Sequence, residues 1–292
     1  MLNSLFALTA DPANRIVKFT LSQEIQADLT NYLQAQEQCF LARAGEEIVF
    51  DGKYKPDAQE ILIIDNYDDI DNLSDAIRNP LGYPEIIPSP EAFNSIKAIF
   101  SGYTDTSENV TVLIQHFDKR KIISTNGFSL FHSTATYKRV EGIGLTIDNK
   151  ISATLKGASL RFCSFHVLRQ IFDLSAYYRE ATDSDISDFV ALPIIKAVNL
   201  DQLISISDNW IRRKFALIQQ SQILETVPIN EIKAVATEFN IPLSTVIENG
   251  VEIISLPANK ADLKTILRFL DEDYYKSPLS QTYFLTNSKR VV

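Results

Sequence analysis

Residues 137–178 read YKRVEGIGLTIDNKISATLKGASLRFCSFHVLRQIFDLSAYY. Three short alternating runs follow one another here: Gly144 to Asp148 (GLTID), Ile151 to Lys156 (ISATLK) and Ala158 to Phe162 (ASLRF). Asp148-Asn149-Lys150 and Lys156-Gly157 separate them and are turn signals, because Asn and Gly tolerate the backbone angles of tight turns. Phe165, Leu168, Ile171 and Phe172 then recur at the spacing of a helix with one buried face. The stretch predicts a β-meander covered by the helix that follows it. The expected fold class is α+β, with a mixed, mainly antiparallel sheet, covering helices and two domains.

Upstream, residues 5–19 read as a strand entering a loop. Ser22 to Gln38 predicts a helix capped by Ser22, with Ile25, Leu29, Tyr32 and Leu33 on its buried face. GEEIVFDGKY and EILIIDNY read as strands, and the acidic DDIDNLSDAIRNP as a short helix ending before Pro80. LGYPEIIPSP is a proline-rich connection, Glu91 to Phe100 predicts a helix, and SGYTDTSEN is a polar link where a domain boundary near residue 105 is expected. VTVLIQHF and Lys121 to Ser124 then read as strands around the basic turn Asp118-Lys119-Arg120.

Downstream, Asp183 to Ala191 predicts a short helix. Ser207-Asp208 opens a longer one that turns Ile211, Phe215 and Ile218 inward and leaves Arg212, Arg213 and Gln220 for water. PINEIKAVATEFN and IPLSTVIEN predict two short helices and VEIISL a buried strand. Asn259 caps KADLKTILRFLDEDYY, and one more short strand lies in the tail. The chain has 292 residues, enough for one large or two ordinary domains.

No apolar run reaches the roughly 20 residues of a membrane-crossing helix, and the first ten residues lack the basic region of a signal peptide. Cys39 and Cys163, without paired spacing, predict two buried reduced thiols in a cytosolic protein. Net charge is −9. Residues 1–105 hold 7 Lys and Arg against 17 Asp and Glu, whereas residues 106–292 hold 21 against 20. That asymmetry predicts an acidic N-terminal region, 1–105, and a second domain, 106–292, with a different surface.

Chemistry-bearing motifs are sparse. His116, His132 and His166 fall in separate elements without metal-ligand spacing. Cys163 and Ser164 lack a nucleophile elbow, and Gly142 and Gly144 form a strand entrance rather than a phosphate loop. Asp65 with Glu231 and Lys233 is the only set that fits a metal-dependent nuclease, and a solvated helix face explains it more cheaply. The acidic run from Asp68 to Asp75 lacks the glycine and terminal Glu of a calcium loop. No cofactor, metal or catalytic residue is expected.

The cations say more. Lys119, Arg120 and Lys121 occupy a turn; Lys138 and Arg139 precede the meander, and Arg161 and Arg169 flank its last strand and helix. Arg212, Arg213 and Lys214 share one helix, and Lys289 and Arg290 lie near the end of the sequence. Clustered Arg and Lys suit phosphate oxygens, because they gain affinity by releasing counterions. Phe131, Tyr137, Trp210 and Phe215 are the aromatics near them; helical spacing makes the last two core residues.

YKRVEGIGLTIDNKISATLKGASLRFCSFHVLRQIF, the helix NWIRRKFALIQ and the closing LKTILRFLDEDYYKSPLSQTYFLTNSKR resemble the KwaB family over residues 110–292. That family is the soluble component of the Kiwa anti-phage defence system. The resemblance implies a non-catalytic cytoplasmic effector that binds phage DNA through its backbone and hinders replication and transcription. It also implies a membrane partner, KwaA, that recruits the effector to the inner membrane. With a homodimer assumed, the twelve cations named above are the expected DNA surface, and the acidic region faces KwaA or another protein. The alternatives are a defence nuclease and a protein-interaction module that does not bind DNA.

Overall fold

In a computed structural model, the structure describes residues 4–67, 71–123, 130–133, 135–139, 142–175, 177, 179–286 and 288–290. The chain forms two compact units. The first comprises Met1–Phe50 and Lys55–Asp173, the second Asp51–Tyr54 and Leu174–Val292. The fold is α+β with mixed, mostly antiparallel sheets.

The first unit opens with a hairpin of β1 (Leu5–Thr9) and β2 (Ile16–Phe19). Helix α1 (Gln23–Leu41) follows, and the Ser22 hydroxyl accepts from the Ile25 amide at 3.4 Å as its N-cap. Its buried residues are Leu29, Leu33, Gln36 and Phe40, whereas Ile25 and Tyr32 are exposed. The buried stripe therefore runs further along the helix than the expected face. Strands β3 (Glu46–Val49) and β4 (Glu60–Asp65) pair in parallel, and α2 (Asp71–Arg78) comes next.

The helix expected over Glu91–Phe100 is confined to α3 (Pro90–Ser95). Ile96 onward is strand β5 (Ile96–Thr104), paired with β1 on one side and β6 (Val110–His116) on the other. Ile96, Ala98, Ile99 and Phe100 are all buried, so a central position in the sheet overrides local helix propensity. The boundary expected near residue 105 falls on the β5–β6 hairpin turn, where the Asp105 carboxylate accepts from the amides of Ser107 and Asn109. A seam through two strands that exchange backbone hydrogen bonds would leave both with unpaired groups; the division into compact units comes after Asp173 instead.

Next along the chain are β7 (Ile122–Ile123), β8 (Leu130–Ser133), β9 (Thr136–Arg139) and β10 (Gly144–Leu145). Then come β11 (Ala153–Lys156), β12 (Ser159–Phe162) and the single-turn helix α4 (Phe165–Leu168). The large sheet runs β2-β1-β5-β6-β11-β12-β4-β3. Two runs of the expected meander, β11 and β12, form a hairpin within it, but Gly144–Leu145 pairs with β7 in a separate small sheet. Leu168, Ile171 and Phe172 are buried as expected. Gln115 donates to Gln36 Oε1 at 2.5 Å and to the Asp148 carbonyl at 2.9 Å, joining α1, β6 and the loop before β11 through satisfied buried amides.

The second unit places α5 (Asp183–Val190), α6 (Leu200–Ile206), α7 (Asn209–Ser221), α8 (Ile223–Thr226), α9 (Ile229–Glu238) and α10 (Lys260–Leu270) around a small sheet. That sheet has the order β13 (Ile195–Ala197), β15 (Val251–Leu256), β14 (Thr245–Glu248). A last hairpin joins β16 (Tyr274–Lys276) to β17 (Tyr283–Leu285). Phe189, Ile211, Phe215, Ile254, Leu263 and Leu267 are fully buried together at its centre. Burying each such side chain contributes about 1.5–3 kcal/mol.

IPLSTVIEN is not a helix. Its second half is β14, which turns back through Asn249 and Gly250, at φ 50° and 81°, into β15. Asn-Gly is the preferred pair for a two-residue hairpin turn, since both positions need positive φ. Cys39 and Cys163 are free; Cys39 is exposed rather than buried, on the outward side of α1 between buried Gln36 and Phe40. Among the described residues, no helix is long and apolar enough to cross a membrane.

Candidate nucleic-acid interface

Strands β8 and β9 form a two-stranded ribbon with Leu130 opposite Arg139, Phe131 opposite Lys138, His132 opposite Tyr137 and Ser133 opposite Thr136. The chain enters this ribbon after β7 and leaves it before β10, and those two strands pair with each other. Every residue of β9 is exposed. Residues i and i+2 of a strand share a face, so Arg139 and Tyr137 stand on one side, with Leu130 and His132 across from them. The His132 and Tyr137 rings meet edge to face at 5.0 Å. Tyr137 is 71% exposed and Leu130 55%, so neither is a core residue.

Directly before β7, Lys119–Lys121 is one turn of 3-10 helix. Its N-cap, Asp118, accepts from the Arg120 amide at 2.9 Å and also pairs with the Arg120 guanidinium at 2.5 Å. Those hydrogen bonds from Arg120 hold the Asp118 carboxyl at about 2, so Asp118 remains ionised and offsets Arg120. Lys121 pairs with Asp148 at 2.7 Å. Lys119, Lys138 and Arg139 are exposed. From Lys119 to Val140 the sequence contains five Lys and Arg and no Asp or Glu, within a chain whose net charge is −9.

The remaining expected cations are placed differently. Arg161, on β12, pairs with Glu47 of β3 at 2.9 Å, and Arg169 follows the last turn of α4. On α7, Arg212 donates to the Ser207 carbonyl at 3.2 Å, to the Ala181 carbonyl at 2.9 Å and to Asp183 at 2.6 Å. Arg213 donates to the Gly52 carbonyl. Lys214 is 6% exposed and pairs with Asp271 at 2.5 Å and Asp273 at 2.6 Å. Lys289 reaches the same two carboxylates at 3.5 and 3.2 Å, while the Arg290 guanidinium lies 5.8 Å from the centre of the Tyr54 ring.

Lys214 is thus a correction to the expected surface. It lies three residues beyond Ile211 and one before Phe215, on the inward side of α7, where its charge is needed by two buried carboxylates rather than by solvent. Arg212 faces the carbonyl and carboxylate groups around α5, so the triplet forms no common cationic face. Phe215 is core, as its spacing predicts, and Trp210 packs partly buried against that core. Trp210 is ringed by Lys214, Lys264 and Arg268 at 5.2–5.5 Å, an arrangement that contiguous charge patterns along the sequence do not reveal.

The nuclease alternative gains no geometry. Asp65 belongs to the first unit and accepts from the Ser159 hydroxyl. Glu231 and Lys233 belong to the second, where Lys233 pairs with Glu252 at 2.6 Å. Among the described residues, no group of three or more His, Cys, Asp or Glu is arranged to hold a metal ion. Of the acidic run, residues 68–70 lie outside the described residues.

A family model described as Kiwa protein KwaB-like matches residues 104–280. The matched segment contains the whole β8–β9 ribbon and all helices from α4 to α10. Comparison with curated proteins gave no match, and neither did comparison with solved structures.

Proposed function

This chain belongs to the KwaB-like family of Kiwa proteins, and on that premise we propose that it is the DNA-gripping component of a Kiwa anti-phage defence system. The observation that carries this reading is the β8–β9 ribbon, whose strand β9 is exposed throughout, in a five-cation stretch without a carboxylate. A two-stranded ribbon fits the B-DNA major groove, and Lys and Arg before β7 and along β9 match phosphates without reading bases. The contact surface in this reading is Lys119, Lys121, Lys138 and Arg139, with Arg120 partly offset by Asp118 and Lys121 by Asp148. Tyr137 and His132 add aromatic surface beside the cations. Binding is then largely indifferent to sequence and steep in salt.

The family context supplies the rest of the proposal. A membrane partner, KwaA, holds the protein at the inner membrane. The acidic residues 1–105, at 7 cations against 17 carboxylates, face protein rather than nucleic acid, since like charge repels phosphate. A twofold dimer would double a modest cationic patch. Gripping phage DNA at the membrane would hinder its replication and transcription.

The test is duplex binding by fluorescence anisotropy over a salt series, for the natural chain and for the Lys138→Glu/Arg139→Glu variant. Each phosphate contact contributes about 0.9 to the logarithmic salt slope, so the variant should bind more weakly and lose about 2 from the slope. Equal affinity and slope for the two proteins would refute the ribbon assignment. No binding by the natural chain at about 50 mM salt, a condition that favours phosphate contacts, would leave a protein-interaction role with the membrane partner. Plasmid incubated with Mg²⁺ or Mn²⁺ separates binding from cutting, since only cutting changes its topology.

A further inference from the structure

We propose that the second unit carries a small-molecule site for a nucleoside phosphate, in the cleft flanked by α5 and α7. The cleft has a volume of about 430 Å³ and is lined by Tyr177, Arg179, Asp185, Arg213, Gln219 and Gln220 over an apolar floor of Ala216 and Leu217. That volume is within the range of about 300–1,000 Å³ typical of ligand sites. All of these residues belong to one unit.

The lining is fixed in place by contacts that do not depend on a ligand. Asp185 accepts from the Thr182 amide and hydroxyl, each at 2.8 Å, in the capping box of α5, and it pairs with Arg179. Those hydrogen bonds from Thr182 lead the effects that lower its carboxyl below the ordinary range, so it is a fixed anion engaged by its own helix start. Gln219 donates its amide to the Asp185 carbonyl at 3.1 Å. Arg213 donates to the carbonyl of Gly52. Gly52 has φ +82°, and a Cβ there would lie 2.2 Å from the Tyr177 carbonyl oxygen. Only glycine lets the 51–54 loop approach Tyr177 so closely, and the same glycine anchors Arg213. Side chains held this way lose little freedom when a ligand arrives.

The chemistry of the lining selects the ligand class. Two guanidiniums against one carboxylate leave the cleft with a formal charge of +1, in a chain of −9. Guanidinium groups recognise phosphate with paired donors. An aromatic residue, an apolar floor and two carboxamides suit a planar body with both donors and acceptors on its edge. A free inorganic anion would use only the guanidiniums, and an uncharged nucleoside would use only the rest. The group that uses both is a nucleoside phosphate. This site lies in the second unit and the ribbon in the first, so it does not rest on the DNA reading.

Isothermal titration of the full chain with the four nucleoside 5′-monophosphates, with adenosine and with inorganic phosphate tests the proposal. At least one monophosphate should bind with a submillimolar Kd, and adenosine and inorganic phosphate at least about tenfold more weakly than it. Arg179 is the informative position, because its side chain is 64% exposed and its loss leaves the core intact. Arg179→Ala should weaken the monophosphate about tenfold, as should Gln220→Ala on the exposed rim, with unchanged circular dichroism. The Lys138→Glu/Arg139→Glu ribbon variant should bind the monophosphate like the natural chain, whatever becomes of DNA affinity. The proposal is overturned if no monophosphate binds at millimolar concentration, if inorganic phosphate alone binds as tightly, or if Arg179→Ala binds unchanged.

Discussion

Lys214 shows what one side chain does when helical geometry turns a cation inward. Asp271 and Asp273 are 3% and 2% exposed, and their carboxylates face Lys214 and Lys289. Removing one partner from a buried ion pair leaves an uncompensated charge and costs about 3–5 kcal/mol. Lys214→Met should therefore lower stability by about 3–5 kcal/mol in urea unfolding, while an exposed cation such as Lys119 changed to Met should cost about 0.5 kcal/mol or less. If the two variants unfold at the same denaturant concentration, the interior role assigned to Lys214 is wrong. The triplet Arg212-Arg213-Lys214 was legible in the sequence as a set of charges, and helical spacing marked Ile211, Phe215 and Ile218 as its inward side. The burial of Lys214 was not legible, because its carboxylate partners are 57 and 59 residues away in the chain.

At the scale of elements, the start of α7 depends on Asp208. Its carboxylate accepts from the Ile211 amide at 3.0 Å and pairs with Lys260 at 3.1 Å and Lys264 at 2.9 Å of α10. Burial pushes this carboxyl upward, but the Ile211 amide and the two ammoniums outweigh it and hold it at about 2. The ordinary value is 3.8, so the folded state favours the ionised form. The stabilisation is present above pH 3.8 and fades as the pH falls through that value toward 2. Asp208 is 37% exposed, so solvent screening keeps the gain small. Asn also caps helices well, so Asp208→Asn should change stability at pH 7 by about 1 kcal/mol or less. It should also flatten the fall in melting temperature between pH 4 and pH 2, near the two values above. A variant whose acid unfolding curve overlays that of the natural protein would show that this cap does not titrate in the window. Three caps of this kind were readable in advance, since Ser22, Asp208 and Asn259 each accept from the expected helix start, whereas the Thr182 and Asn199 caps of α5 and α6 were not. The misread elements, β5 and β14, are apolar β-branched segments whose strand partners decide their state.

At the scale of the whole molecule, the chain passes between the two units three times, after Phe50, after Tyr54 and after Asp173. The segment 51–54 belongs with the second unit through Gly52, which meets Tyr177 and Arg213, and Tyr54, which meets Arg290. A fragment of residues 174–292 would lack those contacts. It should unfold at lower urea concentration than the same region in the intact chain, followed by hydrogen exchange of α7. Equal protection of α7 in the fragment and the full chain would show that 51–54 contributes nothing. The charge asymmetry belongs to this scale as well. The acidic first third of the sequence and the carboxylate-free ribbon share one compact unit, so the counts before and after residue 105 describe stretches of chain, not two bodies.

By itself the sequence determined the α+β class, the starts of α1, α7 and α10, the core stripe of α7, the family likeness and the positions of the cationic clusters. All of these depend on residues close together in the chain, through periodicity, capping and composition. Tertiary structure alone decided which cations stay at the surface, that Gly144–Leu145 leaves the meander to pair with β7, and that the 51–54 loop completes the second unit. Each of those outcomes is set by a partner far away in sequence, whose carboxylate, backbone or carbonyl meets its match only once the chain has folded.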